Sequence, residues 1–311
     1  MTNRLQSSPH KRTSTTTCGR EPLVDTIIRF LAHERVADRN AVRECVEHAI
    51  DESGPDALES LSARLLGAGA EWAYYPHDPL ARRIHHALAP RVLRPAPVIK
   101  GAQHLDAVKN KRLVIFANHL SYSDANVVEI VLRSAGAGWL ADRLTAIAGP
   151  KVYSNVMRRF SSLCFGTIKV PQSSERSSEE AVMNPRDLAR AARRAIHIAQ
   201  ERLSLGEALL IFAEGSRSRT GQMQEFLPGT ARYLELPDTW VLPIGLTGTE
   251  KLFPIDASAL HAVPITMTIG PPMAASDLRE RAPRDRRMVM DSIGHATADL
   301  LPKEYRGVYR D

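Results

Sequence analysis

Two short segments of this chain combine residue types that can do chemistry. In the first, Phe116-Ala117-Asn118-His119-Leu120-Ser121-Tyr122-Ser123-Asp124, a histidine follows an apolar run, and an aspartate stands where a helix begins. The loop between His119 and Asp124 is short enough to fold back, so the carboxylate can accept a hydrogen bond from Nδ1 of the imidazole. That fixes the tautomer with Nε2 as base and stabilises the imidazolium formed when a proton is taken. No serine or cysteine nucleophile is evident beside the pair, which suits direct attack by a substrate hydroxyl without a covalent intermediate. On spacing alone, a strand-end histidine followed by a helix cap at Ser123 or Asp124 is also open.

The second segment is Leu209-Leu210-Ile211-Phe212-Ala213-Glu214-Gly215-Ser216-Arg217-Ser218-Arg219. An apolar strand again runs into a turn, where Gly215 permits unusual backbone angles and two serines offer hydroxyls. Arg217 and Arg219 follow, and the planar arginine fork matches phosphate oxygens, with turn N–H groups as further donors. Taken alone, the segment reads equally well as a solvated basic loop. Both segments, however, sit at strand carboxyl ends, where α/β sheets place ligands.

The elements that must position them are legible as texture. Residues 1–20 are rich in Ser, Thr and basic side chains without an apolar core, and read as a disordered tail, with a targeting peptide as the alternative, rather than as a secretory signal. Residues 21–95 carry helical spacing: Leu23, Ile27, Phe30 and Leu31, then Val42, Cys45, Val46, Ala49 and Ile50, then Leu58, Leu61, Leu65 and Leu66. A fourth helix is expected from Asp78-Pro79, a cap followed by an N1 proline, and Arg94-Pro95-Ala96-Pro97 closes the helical stretch. From residue 96 to 311, short apolar runs alternate with amphipathic helices. Strands are expected at Leu113–Ala117, Leu144–Ala148, Thr167–Val170, Ala208–Ala213, Trp240–Gly245 and Pro264–Ile269. Helices are expected at Asp124–Arg133, Val152–Ser162, Pro185–Leu203 and about Asp285–Leu300. The pattern is that of an α/β domain with a mainly parallel or mixed sheet flanked by helices.

Composition narrows the function classes. A 311-residue chain with 43% hydrophobic and 24% charged residues is that of an ordinary globular protein. The net charge of +6 favours anionic partners, yet aromatics make up only 5% and do not interleave with basic runs, so nucleic acid is not expected as a partner. Cys18, Cys45 and Cys164 lack metal-site or disulfide-framework spacing, and a reducing compartment with idle thiols is expected. No run approaches the roughly 20 apolar residues that span a bilayer.

Asn118-His119 with Asp124 resembles the N-H-x-x-x-x-D motif of the glycerolipid acyltransferases, which include glycerol-3-phosphate and lysophosphatidic acid acyltransferases. Phe212–Arg219 is similar to their F-P-E-G-[ST]-R-S motif, and Trp240-Val241-Leu242-Pro243-Ile244-Gly245 to their later proline-bearing strand. The resemblance spans about Val98 to Val308 and implies transfer of an acyl group from acyl-CoA or acyl carrier protein to a hydroxyl of a glycerolipid-type acceptor. It implies His119 and Asp124 as the catalytic pair, and Asn118, Gly166, Glu214, Gly215, Ser216, Arg217 and Arg219 around the substrates. Glu214 is expected to brace its loop, by hydrogen bonds or an arginine pair, more than to transfer protons. No metal or bound cofactor is implied. Peripheral attachment to an anionic membrane on the cytoplasmic side follows from a lipid acceptor and the absence of a spanning segment. The chain departs from the pattern at Ala213, where proline is usual, and at Gln172, where an arginine is expected; Lys169 and Arg176 are nearby but out of register. The acceptor is thereby left open. A hydrolase, although lacking a G-x-S-x-G elbow, and a non-catalytic lipid- or phosphate-binding module are the alternative readings.

Overall fold

The computed structural model describes residues 19–31, 36–171, 184–254 and 260–310. The tail therefore lies outside the described residues, except for its last two positions, and so do Gln172 and Arg176.

Three helices come first: α1 (Arg20–Leu31), α2 (Val36–Ser53) and α3 (Pro55–Gly67). After the two-residue strand β1 (Tyr74–Tyr75) comes α4 (Pro79–Val92). It starts as its sequence dictates: Asp78 Oδ1 accepts from the backbone N–H of Leu80 and of Ala81, each at 3.0 Å, with proline at the next position. Then follow β2 (Val98–Lys100), β3 (Arg112–Ala117), α5 (Asp124–Ser134), α6 (Gly138–Ala141), β4 (Leu144–Ala148), α7 (Val156–Ser162) and β5 (Gly166–Lys169). The chain continues through α8 (Pro185–Ser204), β6 (Ala208–Ile211), β7 (Thr239–Thr247), α9 (Thr249–Leu252), β8 (Thr266–Ile269), β9 (Met273–Ala274), α10 (Ala275–Arg281) and α11 (Arg286–Ala298).

Among the described residues nine strands form one mixed sheet in the order β1-β5-β4-β6-β3-β7-β8-β2, with β9 beside β7. The central strands β5, β4, β6, β3 and β7 pair in parallel, so their carboxyl ends lie along one edge. The reversals are at the margins, where β1 pairs with β5 and β8 with β7 antiparallel.

Alternation along β3 divides the interior. Leu113, Ile115 and Ala117 point into a core shared with α1, α2, α4 and α5, while Val114 and Phe116 face α8 and α11. The N-terminal helices thus pack on one face of the sheet. A buried ionic cluster also joins them to it. Glu129 of α5, fully buried, meets His86 Nε2 at 3.0 Å, His85 Nε2 at 3.3 Å and Arg133 Nη2 at 2.9 Å. Burial alone would raise the Glu129 carboxyl; hydrogen bonds from His85 and His86 outweigh it and hold the group well below its usual range.

The expected helix Val152–Ser162 is two pieces, a 3₁₀ turn at Pro150–Tyr153 and α7. Asn155 breaks it by capping α7, its Oδ1 accepting from Arg158 N at 2.9 Å. The strand expected to reach Ala213 ends at Ile211, because Phe212 already begins the turn whose Gly215 has φ 72°. β1, β2, β9, α6, α9 and α10 are too short to carry a periodic signal and were not expected.

Candidate active site

β3 and β6 are neighbours in the sheet and run parallel, so the loops leaving their carboxyl ends lie side by side. In the first loop His119 Nδ1 lies 2.8 Å from Asp124 Oδ2, and that same oxygen accepts from Leu120 N at 2.7 Å and Ser121 N at 2.9 Å. Asp124 is fully buried and is the first residue of α5, where the helix N-terminus favours a carboxylate. With Nδ1 engaged, Nε2 is the nitrogen left to act on a substrate. The imidazole stacks on Phe212, centroids 4.3 Å apart, which sets its plane.

The second loop is bound to the first through the backbone. Ser218 N donates to His119 O at 2.8 Å, and Glu214 Oε1 accepts from His119 N at 2.7 Å. Glu214 Oε2 accepts from Gln224 N at 2.9 Å, so this carboxyl holds two segments of backbone in place. Bracing by hydrogen bonds is therefore what Glu214 does here. Burial pushes its carboxyl up to about 8, against the two N–H donors, which favour the carboxylate form.

His119, Gly215, Ser216, Arg217 and Arg219 all line one cavity of about 1530 Å³. Asn118 and Gly166, expected near the substrates, do not. Asn118 is buried, and its amide is spent on β7: Nδ2 donates to Leu246 O at 3.0 Å and Oδ1 accepts from Leu246 N at 2.7 Å. It extends the sheet ladder by one side chain. Gly166 lies on β5, where an added Cβ would meet Thr145 Oγ1 at 2.3 Å and the Tyr74 ring at 3.1 Å. Its smallness serves packing. Glu214, also placed among the substrate-binding residues, is behind the wall rather than on it.

Three cavity residues were missed in the sequence. The Arg158 guanidinium lies 4.1 Å from the centroid of the Tyr122 ring, and that of Arg217 lies 3.6 Å from it. Lys151 lines the cavity close by and its carbonyl accepts from Arg158 Nη1 at 3.1 Å. Arg217 Nη1 is buried with no hydrogen-bond partner among the described residues. Burial pushes its guanidinium below the ordinary range, and the charge of Arg158 adds to that shift. A buried cation with an unsatisfied donor is costly unless an anion completes it. Lys169, by contrast, is unavailable: Nζ donates to Gly69 O at 2.6 Å and rests 4.4 Å from the Trp72 ring centroid. Arg158 lies on a helix outside both motifs, where the sequence shows it only as a basic residue beside the apolar Val156, Met157 and Phe160.

A family model described as Acyltransferase matches residues 98–247. That interval holds both loops, the His119–Asp124 pair and Arg217. Residues 98–247 thus carry an acyltransferase domain. Among solved structures, the 1-acyl-sn-glycerophosphate acyltransferase of Thermotoga maritima is similar at 18% identity and TM-score 0.47, over 71% of this chain and 75% of that chain. A search of curated proteins finds no match.

The remaining lining is mostly apolar and draws on both cores: residues of α1, α4, α5 and α7 on one side, and of α8 with Ile147, Ile211 and Tyr233 on the other. Among the described residues, no group of three or more His, Cys, Asp or Glu is placed to hold a metal ion, and no helix is long and apolar enough to cross a membrane.

Proposed function

We propose that this acyltransferase moves a fatty acyl group from acyl-CoA or acyl carrier protein to a hydroxyl of glycerol phosphate, a lysophospholipid or a related phosphorylated lipid acceptor. One observation carries the reading: the His119–Asp124 pair lies on the wall of the cavity that also holds Arg217 with its unsatisfied Nη1. Nε2 of His119 takes the proton of the acceptor hydroxyl as that oxygen attacks the thioester carbonyl. The tetrahedral intermediate then expels the thiolate, which recovers the proton from the imidazolium, while Asp124 holds the ring and its charge. Arg217, with Arg158 and Arg219 close to the same wall, takes the acceptor phosphate. Incubating the protein with a labelled acyl donor and a panel of lysolipids and glycerol phosphate, then identifying products by mass spectrometry, tests this. An acylated acceptor is expected; thiol release with free fatty acid as the only product would replace transfer by hydrolysis.

The proposed setting is peripheral, on an anionic cytoplasmic membrane surface. Along α8, Ala191, Ala195, Ala199 and Leu203 are buried at every fourth position, and Arg190, Arg193, Arg194 and His197 are exposed. Each basic residue near an anionic surface adds about 1 kcal/mol of attraction, screened by salt. Sedimentation with acidic liposomes should be lost in high salt and on changing Arg190, Arg193 and Arg194 to Glu; binding indifferent to both would exclude this stripe.

A further inference from the structure

Residues 223–227, which follow the 214–219 loop, run as a layer between that loop and the segment after α11. The hydrogen bonds of this layer point two ways. Toward the loop, Gln224 N donates to Glu214 Oε2 at 2.9 Å, Gln224 Nε2 to Ser216 O at 3.4 Å and Leu227 N to Ala213 O at 2.8 Å. Away from it, Met223 N donates to Tyr305 O at 2.8 Å and Phe226 N to the Tyr309 hydroxyl at 2.9 Å, while Val308 N donates back to Met223 O at 3.2 Å. The loop that carries Arg217 thus reaches its outer support through one intervening stretch of chain. That support lies beyond residue 247, where the match to the family model ends.

The sequence is shaped to seat Tyr309. Residues 303–309 form two 3₁₀ turns, Lys303–Tyr305 and Gly307–Tyr309. Gly307 has φ 53°, and a Cβ there would overlap the carbonyl oxygen of Met223, so only glycine allows this approach. Gly294 stands inside α11, where glycine ordinarily weakens a helix, but a Cβ at this position would overlap the Tyr309 ring. The helix gives up a side chain to open a slot for the phenol. Tyr309 is 4% exposed and packs edge-on against Phe226 and His295, with centroids 5.9 and 5.0 Å away. A ring held this way brings its hydroxyl to one backbone N–H, and that buried donor is costly to leave unpaired.

We infer that Tyr309 is a positioning residue for acyl transfer: through Phe226 and Gln224 its hydroxyl sets the backbone of the 214–219 loop, and with it the place of Arg217. The consequence for the acceptor rests on the acyl-transfer reading above; the consequence for the loop does not.

Tyr309→Phe removes one oxygen and keeps the ring in its slot. Hydrogen exchange needs no substrate and is expected to quicken by roughly tenfold in peptides covering 214–219 as well as 223–227, the scale of one lost bond to a buried N–H. In assays with glycerol phosphate or lysophosphatidic acid, KM for the acceptor should rise roughly fivefold to tenfold while KM for the donor stays at wild type, as displacement of a binding group requires. Tyr305→Phe is the matched control, because its hydroxyl donates to Glu250 Oε1 at 2.7 Å and not to the 223–227 layer. It should leave exchange at 214–219 and the acceptor KM close to wild type. Three results would overturn the proposal: exchange at 214–219 that matches wild type in Tyr309→Phe, an unchanged acceptor KM in that variant, or an equal rise of acceptor KM in both variants. Faster exchange at 214–219 in a protein whose wild type transfers no acyl group would instead defeat the acyl-transfer reading and leave the support of the loop by Tyr309 standing.

Discussion

The two loops at the cavity edge are held by opposite means. In the His119 loop the partners of the carboxylate are local: Asp124 Oδ2 collects donors from His119, Leu120 and Ser121, all within five positions. In the 214–219 loop nothing local satisfies the arginine. Arg217 rests on Tyr122 from the other loop, beside Arg158 from α7, with Nη1 unpaired. In the first loop Asp124 holds the imidazole through groups of the loop itself; in the second the guanidinium keeps a donor open. Glu214, which bonds both, is the coupling between them.

This contrast can be broken at its strongest point first. His119→Ala should cut kcat by at least roughly a hundredfold, the scale for losing a positioned base, with KM for both substrates little changed. Asp124→Asn should be nearly as severe, since an amide at this position favours the wrong tautomer. A variant at His119 with near-normal turnover would remove the base from the mechanism.

Arg217→Ala should act differently, raising KM for a phosphorylated acceptor roughly tenfold or more while KM for the donor stays close to wild type, the scale of a charge-assisted hydrogen bond. Arg217→Lys should recover only part of this, because a planar fork becomes a point charge. Equal losses toward donor and acceptor would move Arg217 to the donor side.

The coupling is the smallest effect and the most diagnostic. Above about pH 8, where Glu214 is ionised and both oxygens accept, Glu214→Gln turns one acceptor into a donor facing a backbone N–H, which should cost about 1–3 kcal/mol in thermal or chemical unfolding and lower kcat and acceptor affinity together. A loss in only one of the two would mean the loops are independent. The pH dependence follows from the raised carboxyl. With the folded value at about 8 and the ordinary value at 4.5, the native state holds a proton that the unfolded chain has released. The stability contributed by Glu214 is thus complete below about 4.5 and is lost as pH rises through about 8. Unfolding midpoints of wild type should fall across that window more steeply than those of Glu214→Gln.

How much of this was legible follows from how far apart the interacting groups lie in the chain. The long strands β3, β4 and β7 and the helices α4, α5 and α8 announced themselves, because burial on a sheet or against it imposes a period on consecutive residues. The two-residue strands and the break before α7 did not. A two-residue strand has no period, and a cap at Asn155 interrupts a helix without altering its apolar spacing. Motif resemblance likewise found the loops but misplaced Asn118 and Gly166, since a residue adjacent to chemistry can be serving the sheet ladder or the packing behind it.

By itself the sequence offered the His119–Asp124 pair, for the loop between them is short enough to fold back, with a helix cap at Ser123 or Asp124 equally compatible with the spacing. It also determined a mixed α/β sheet and the apolar faces that had to be covered. Only the tertiary structure decided which residues gather around that pair. The parallel pairing of β3 with β6 sets Glu214 and Arg217 against His119, the packing of α7 brings Arg158 to Tyr122, and the docking of α1 and α4 on one sheet face adds Ile27 and Leu88 to the cavity wall. Those contacts join residues tens of positions apart. Their energy comes from burying surfaces that no local pattern pairs with one another, so the partners become definite only when the core closes.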